Sequence, residues 1–302
     1  MSIDLTGITN KNEYYTNHYF SAMFEESTSA VINSWNAAAR ESEEIRTPWS
    51  LLRQNARQYY TFHDKFVRSS INLQMLVNIK VLADNYLKSL GYPESKPEVI
   101  TVNDSLSVPV YLEMTKSNGA PLLCASKEAD AGIMESFVFS TDDVDDDTTG
   151  TLYKGILGEI PNEDLVTKIF FGSAEPPRFV MLIGMNQIAL IDRNKWNEKR
   201  YLQFELEEIF SRLENTTLQA MAVLLHKNSL CPDDGKVLLD ELDQQSQKNA
   251  SGVSQDLKYA LRESIELLGN EVLYDMRMRL GRDLNADPVD AGQLTLECLR
   301  YM

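Results

Sequence analysis

The stretch that decides the fold of this chain runs from Pro177 to Phe210 and reads PRFVMLIGMNQIALIDRNKWNEKRYLQFELEEIF. Two short apolar runs, Phe179–Ile183 and Ile188–Ile191, flank a GMNQ turn, which is the pattern of a β-hairpin. A further strand-like run, Tyr201–Phe204, follows and leads into an acidic amphipathic stretch. The segment therefore predicts a small sheet built around a hairpin at 179–191.

Helical patterns precede this region. Residues 13–90 carry apolar side chains at helical spacing, with a break at Thr47-Pro48 and a stop at Gly91. From 97 to 127 the apolar period changes to two, and a short helix is expected from about Asn162 to Phe171. The three strands predicted by that period are Val99–Val102, Val110–Met114 and Leu122–Ala125.

The C-terminal part predicts a long helix. Residues 244–255, QQSQKNASGVSQ, are polar and predict a connecting segment. From about Val253 onward, apolar residues recur at steps of three or four, as in the buried stripe of a helix. The stripe comprises Leu257, Leu261, Ile265, Leu268, Val272, Met276 and Leu280. Since the chain stops inside the apolar segment LTLECLRYM, we expect it to be the front of a longer polypeptide or a truncated one.

These patterns together predict an α+β fold in three regions. Residues 1–92 are expected to form an N-terminal helical region. Residues 93–213 are expected to form an α/β core with a small mixed β-sheet and the hairpin. Residues 214–302 are expected to form a C-terminal helical region.

Composition limits the classes of function. The net charge is −16, with 45 acidic and 29 basic residues, so the chain by itself is a poor binder of the phosphate backbone of DNA. There is no apolar run long enough for a membrane helix and no pattern of a secretion signal at the start, so we expect a cytoplasmic protein without a membrane partner. The three cysteines lie far apart, as is common for reduced thiols in a cytoplasm.

The sequence of residues 1–302 contains no known catalytic motif. The three histidines lie on separate segments without a second metal ligand at helical spacing, and nucleophile-elbow, P-loop and dinucleotide fingerprints are absent from the sequence. One patch, NKWNEKR, combines cations with an aromatic ring. Its Lys195, Trp196, Lys199 and Arg200 are candidates for contact with DNA. In the alternative interpretation, Trp196 covers the edge of the sheet while its charged neighbours stay in solvent.

Five stretches, taken together, resemble one family: the N-terminal portion of large bacterial N6-adenine DNA methyltransferases. That family includes fused restriction–modification enzymes of type IIG style and the methyltransferases of phage-defence islands such as the DISARM system. The resemblance implies a nuclease-like core, the hairpin, and then a helical connector to the methyltransferase domain. The stretches are NHYFSAMFEE, PWSLLRQNARQYY, FVMLIGMNQIALIDRNKWNEKRYLQF, LQAMAVLLHKNSL and GVSQDLKYALRESIELLGNEVLYDMR.

The nuclease-like part of the resemblance can be compared residue by residue. Nucleases of the PD-(D/E)XK type bind Mg²⁺ through an Asp on one strand and a Glu on the next, with a Lys two positions after the Glu. In the matching strand, PLLCASK, Lys127 takes the position of the lysine, but Ala125 takes the position of the Glu. Val110 or Tyr111 lies near the position of the expected Asp. The resemblance therefore implies a vestigial nuclease lysine and no metal ligands.

A metal site is possible in this chain only if other carboxylates replace the missing Asp and Glu. The carboxylates available nearby in the sequence are Asp104, Glu113 and Glu128, with Glu25 or Glu26 on an early helix. Mg²⁺ would be a cofactor only in that case. The segment has neither the cofactor loop nor the NPPY-like tetrapeptide of amino-methylating enzymes, so S-adenosylmethionine (SAM) is expected only in a domain downstream.

Three functions follow as hypotheses. In the first, the chain is the nuclease-like, catalytically degenerate N-terminal region of an adenine-specific DNA methyltransferase of a restriction–modification or phage-defence system. Such a protein would reach DNA through its full length and contact other defence-system subunits. In the second, the chain is an active Mg²⁺-dependent DNA endonuclease domain. In the third, it is an acidic interaction protein that mimics the charge of DNA.

Overall fold

The computed structural model describes most of the chain. The described residues are 5–42, 44–68, 73–95, 98–103, 106–114, 121–125, 127–129, 132–137 and 160–281, with 292, 294 and 296. The sequence STDDVDDDTTG at 140–150 predicts an acidic loop, and Pro288 is expected to begin a final helix; the first lies outside the described residues, and so does most of the second. The chain divides into two compact units, residues 1–246 and 247–302, and the predicted boundaries after residues 92 and 213 both lie inside the first unit.

Helices provide most of the regular structure, and we number helices and strands in chain order. The helices are α1 Asn17–Ala22, α2 Phe24–Glu41, α3 Pro48–Arg68, α4 Leu73–Ser89, α5 Asn162–Gly172, α6 Arg193–Trp196, α7 Leu206–Arg212, α8 Asn215–Leu225, α9 Lys227–Leu230 and α10 Leu238–Leu280. The strands are β1 Ile8–Lys11, β2 Glu98–Asn103, β3 Leu106–Val110, β4 Leu112–Glu113, β5 Pro121–Ala125, β6 Lys127–Ala129, β7 Gly132–Phe137, β8 Phe179–Ile183, β9 Gln187–Asp192 and β10 Tyr201–Glu205. The prediction of a mixed α and β fold with a small sheet is therefore confirmed.

A six-stranded sheet in the order β1-β10-β9-β8-β5-β4 forms the centre of the first unit. All neighbouring strands are antiparallel except β5 and β8, which run parallel, with Ala125 opposite Ile183. The chain passes through α5 between those two strands, as a parallel pair requires a crossover. The predicted hairpin is confirmed as β8 and β9. Two further pairs, β2 with β3 and β6 with β7, form separate two-stranded sheets.

The central strands are buried on both faces, which explains why the sequence of the hairpin is apolar almost without interruption. Alternate residues of β8 enter different cores, because successive side chains of a strand point to opposite faces. Phe179, Met181 and Ile183 pack in the core formed with the N-terminal helices and α7 to α9. Val180 and Leu182 pack in a second core with β2, β3, β7 and α5.

Several helix and strand boundaries differ from the predictions. The strand β1 was not predicted, although it adds the edge next to β10. The predicted strand at 110–114 is two strands, β3 and β4, and Pro109 lies within β3 opposite Val99. Proline is accepted in edge strands, and within the described residues β3 pairs with β2 alone.

The long C-terminal helix begins earlier than predicted. Residues 244–255 belong to α10, so the prediction of a connecting segment there is wrong. Polar residues such as Gln and Lys are good helix formers, and Gly252 within a helix costs only about 1 kcal/mol. The predicted stripe also differs in its burial, since Leu257 and Leu261 are 68% and 54% exposed. In the second unit, Val272 is buried and packs with Leu268 and Leu294.

Two predicted helix ends are confirmed. The helix α3 begins at Pro48, whose missing N–H does no harm in a first turn. After α4 ends, Gly91 adopts φ +77°, and the N–H of Tyr92 donates to the carbonyl of Leu87 at 2.9 Å, as in a glycine-terminated helix. Within the described residues, no helix combines the length and apolarity needed to cross a bilayer.

Candidate nucleic-acid interface

The predicted nuclease position lies at the end of β5. Ala125 is the last residue of that strand, and its backbone pairs with β8. Lys127 does not continue the pairing with β8, because it begins β6 and lies opposite Phe137. Val110 and Tyr111, near the position of the expected Asp, are both buried with 1% of their surface exposed.

Within the described residues, the carboxylates that could replace the missing metal ligands do not form a cluster. Glu113 is exposed at the end of β4, and Asp104 lies outside the described residues. The side chains of Lys127 and Glu128 also lie outside them, so the role of Lys127 stays a prediction. Within the described part of the chain, no group of three His, Cys, Asp or Glu side chains is arranged to hold a metal ion.

The other candidate residues lie where β9 ends and α6 begins. Asp192 ends β9, and its Oδ1 accepts from the backbone N–H of Asn194 at 2.9 Å, so it caps the short helix α6. The backbone N–H of Arg193 donates to the carbonyl of Arg178 at 2.8 Å, which ties the start of β8 to the same point. This local structure fixes the backbone that carries Lys195 and Trp196.

Trp196 is a core residue. It is 1% exposed and packs in the second core, with an edge contact to Phe170 and a tilted contact to Tyr201. Its Nε1 donates to Oγ1 of Thr167 at 2.9 Å, so the polar end of the ring is satisfied inside the protein. This burial favours the alternative interpretation, in which Trp196 covers the sheet, over stacking on a base.

Lys199 and Arg200 lie at the surface and each has an acidic neighbour. Lys199 Nζ is 2.9 Å from Oε1 of Glu163 and 4.1 Å from the centre of the Trp196 ring. Arg200 pairs with Glu198. The side chains of the two cations are 43% and 38% exposed, and ion pairs this exposed contribute only about 0–1 kcal/mol. Both cations can therefore exchange their partners for another anion.

Lys195 is more buried than these neighbours. Its Nζ donates to the carbonyl of Tyr14 at 2.6 Å and to Oδ1 of Asp243 at 2.5 Å. The same Nζ lies 4.1 Å from the centre of the Tyr14 ring and 4.8 Å from that of Tyr15. Burial lowers the pKa of Lys195, and the hydrogen bond and charge of Asp243 oppose that shift.

Arg178 forms the second cation of this site, and sequence reasoning missed it. Its guanidinium binds both carboxylate oxygens of Asp240, with Nη1 2.9 Å from Oδ2, and its Nη2 lies 3.3 Å from Oδ2 of Asp192. It also stacks over the ring of Phe179 at 4.7 Å. Burial opposes the charge of Arg178, but Asp240 and Asp192 together raise its pKa above the ordinary value. Burial raises the pKa of Asp192, and Arg178 opposes that shift.

The carboxylates that face the two cations come from the first turns of α10. Asp240 and Asp243 are three residues apart, so they lie on one side of the helix. Nearby contacts fix the same segment, since Oγ of Ser246 accepts from the N–H of Thr16 at 3.0 Å. The signal in the sequence was the acidic pair Asp240-Glu241 before a run of good helix formers, which is typical of a first helical turn.

Comparison of the chain with protein-family models, with curated protein sequences and with solved structures found no match.

Proposed function

We propose that this chain is the N-terminal region of an adenine-specific DNA methyltransferase of a restriction–modification or phage-defence system. In this proposal, the central sheet derives from a nuclease fold of the PD-(D/E)XK type and has lost its catalytic metal site. The region serves to contact DNA and partner subunits, and α10 connects it to a downstream domain that binds SAM and methylates adenine.

The observation that carries the proposal is the order of strands around β5. This strand is antiparallel to β4 and parallel to β8, and the hairpin of β8 and β9 follows it in the chain. The resemblance implies a small mixed nuclease-like sheet with a hairpin after it in the chain, and this arrangement supports that expectation. A long helix, α10, comes later, as the resemblance implies for the connector.

The residues at the nuclease position support the loss of the metal site. A hard cation such as Mg²⁺ needs several anionic oxygen ligands. Ala125 has no ligand atom in its side chain. Val110 and Tyr111 are buried in the cores of the first unit, and neither offers a carboxylate. A sheet of this kind can keep its structural role after its chemistry is lost.

The proposal is tested by expressing the complete gene that encodes this chain in a host without adenine methylation. Long-read sequencing of the host genome then measures N6-methyladenine. We expect methylation at one recognition sequence, and we expect it to disappear when the catalytic motif downstream is mutated. A genome without methylated adenine, together with no transfer of a methyl group from SAM to DNA by the purified protein, would refute the proposal.

A further inference from the structure

Arg178 and Lys195 form a pair of cations. Residues of the first unit that lie outside α10 hold both of them in place. Arg178 is paired with the buried Asp192 and stacks over Phe179. Lys195 donates to the carbonyl of Tyr14. Only 13% of each cationic side chain is exposed. Because these contacts come from β8, β9 and the segment before α1, the cations keep their positions when the carboxylates of α10 are removed.

The carboxylates that face these cations are more loosely held. The side chains of Asp240 and Asp243 are 48% and 28% exposed. The helix that carries them is anchored by other residues, since Leu239 and Leu242 are buried with 2% and 0% of their surface exposed. A rotation of the two aspartate side chains into solvent therefore uncovers the cations without detaching α10. We call Asp240 and Asp243 the acidic cover.

Three polar atoms next to the cover are buried without a hydrogen-bond partner. They are the hydroxyls of Tyr14 and Tyr15 and Nε of Arg178. Tyr14 and Tyr15 both interact electrostatically with Asp243 and Asp192. A buried donor without a partner destabilises the arrangement that buries it. The closed cover is therefore less stable than its ion pairs alone suggest, and an additional acceptor brought to this site would improve it.

The geometry of the cover is that of an anion with several oxygen atoms. The guanidinium of Arg178 binds both oxygens of Asp240, which is also how arginine binds phosphate. Lys195 binds Asp243 as a point charge, which is also a common way of binding phosphate. The two carboxylates thus bind the cations in the ways in which phosphate oxygens bind arginine and lysine.

We infer that the acidic cover is an autoinhibitory contact, in which Asp240 and Asp243 occupy a two-cation site for the phosphate backbone of DNA. The inference rests on the proposed function in that DNA is the ligand. It adds that DNA competes with the first turns of α10 for Arg178 and Lys195. Although the net charge of the chain is −16, Arg178 and Lys195 form a local cationic site, and the cover prevents that site from binding nucleic acid non-specifically.

The test measures the salt dependence of binding of a duplex DNA by this 302-residue chain, between about 50 and 200 mM NaCl. The Asp240→Asn/Asp243→Asn variant keeps the size of both side chains and removes their charge. Each phosphate contact steepens the plot of log K against log[salt] by about 0.9, so we expect this variant to have a slope steeper by about 1.8 than the wild type. We expect its affinity at the lower salt concentration to be at least about tenfold higher.

The matched control is Glu241→Gln/Asp256→Asn, which removes two negative charges from exposed positions on the same helix. An equal change of slope in this control would mean that net charge alone is responsible, and the inference would be wrong. Adding Lys195→Met to the Asp240→Asn/Asp243→Asn variant must remove about half of the gain in slope. A gain that survives this addition also overturns the inference.

Two further measurements keep the test decisive. If circular dichroism shows that the double variant is unfolded, the single variant Asp240→Asn is measured instead. Its expected change of slope is about 0.9. Hydrogen exchange of residues 238–246 in the folded wild type must stay slow with DNA bound, because only the aspartate side chains move. Methylation of adenine in the host reports on the proposed function, whereas the salt slope reports on the cover, so a failure of either is recognised separately.

Discussion

Replacing Trp196 by alanine tests whether this residue is structural or contacts DNA. The ring is 1% exposed and packs between Phe170 and Tyr201 beneath the sheet. Its removal deletes a large buried side chain and the hydrogen bond from Nε1 to Thr167. It also removes the surface over which Lys199 lies. The expected result is therefore a large loss of stability.

The magnitude follows from comparable core substitutions. Truncation of a buried Trp or Phe to alanine costs about 3–5 kcal/mol, because the surrounding residues fill the cavity only in part. The hydrogen bond contributes about 1 kcal/mol of this. Trp196→Phe keeps much of the ring, and Thr167 keeps its bond to the carbonyl of Glu163, so this variant is expected to lose only about 1–2 kcal/mol.

The assay is urea unfolding followed by far-ultraviolet circular dichroism, with the free energy of unfolding taken from the linear extrapolation. Phe171→Ala is the matched control, since Phe171 is on the same helix as Phe170 but is 60% exposed. We expect a change of at most about 0.5 kcal/mol in the control. If Trp196→Ala unfolds like the wild type and binds DNA more weakly, the assignment of Trp196 to the core is refuted.

Three further predictions concern other parts of the first unit. Gly91→Ala is expected to lose at least about 2 kcal/mol of stability in thermal unfolding, because φ is +77° and the new Cβ would lie 2.7 Å from Nε2 of His226. The control Gly252→Ala, whose new Cβ would meet no atom within 4 Å, should be neutral or stabilising in the same experiment. Burial lowers the pKa of His226 to about 4, so the neutral form is favoured in the folded state. The lowered pKa of His226 therefore adds up to about 3 kcal/mol to the free energy of unfolding. This stabilisation is fully present above the unfolded pKa of about 6.5 and is lost as pH falls towards 4. Stability measured against pH should therefore depend less on pH in that window in His226→Gln, and an unchanged profile would contradict the assignment. With Mg²⁺ added, the chain is expected to leave plasmid DNA uncut, and Mg²⁺-dependent cleavage that disappears in Lys127→Ala would restore the endonuclease hypothesis.

The hairpin was predictable because its signal is local. Five apolar residues, a short turn and four more apolar residues define both strands, and the burial of both faces leaves few alternatives to this pairing. The boundaries at Pro48 and Gly91 were predictable for the same reason, since each depends on the conformational limits of one residue. The strand β1 was not, because four residues with little apolar character gain their stability only from the partner strand β10.

The candidate site was predictable only in part. Lys195 was found because a basic and aromatic patch follows the hairpin. Arg178 and Asp240 were missed because they are 62 residues apart and no sequence period connects them. Burial decided the role of Trp196, and burial depends on α5, which the sequence predicts as a helix but does not place against the ring.

The early start of α10 follows from the tertiary contacts of its first turns, chiefly those of the buried leucines beside the acidic cover. Starting a helix is unfavourable because several residues must be ordered for the first hydrogen bond, whereas each further residue adds one bond. In this chain the first turns are ordered by the burial of Leu239 and Leu242 and by the ion pairs of Asp240 and Asp243. Once the helix has started, the polar residues that follow extend it at little cost, and one glycine does not stop it. A polar composition therefore predicts a linker only where no helix starts upstream. In this chain, tertiary contacts within the first unit start α10 before the polar segment.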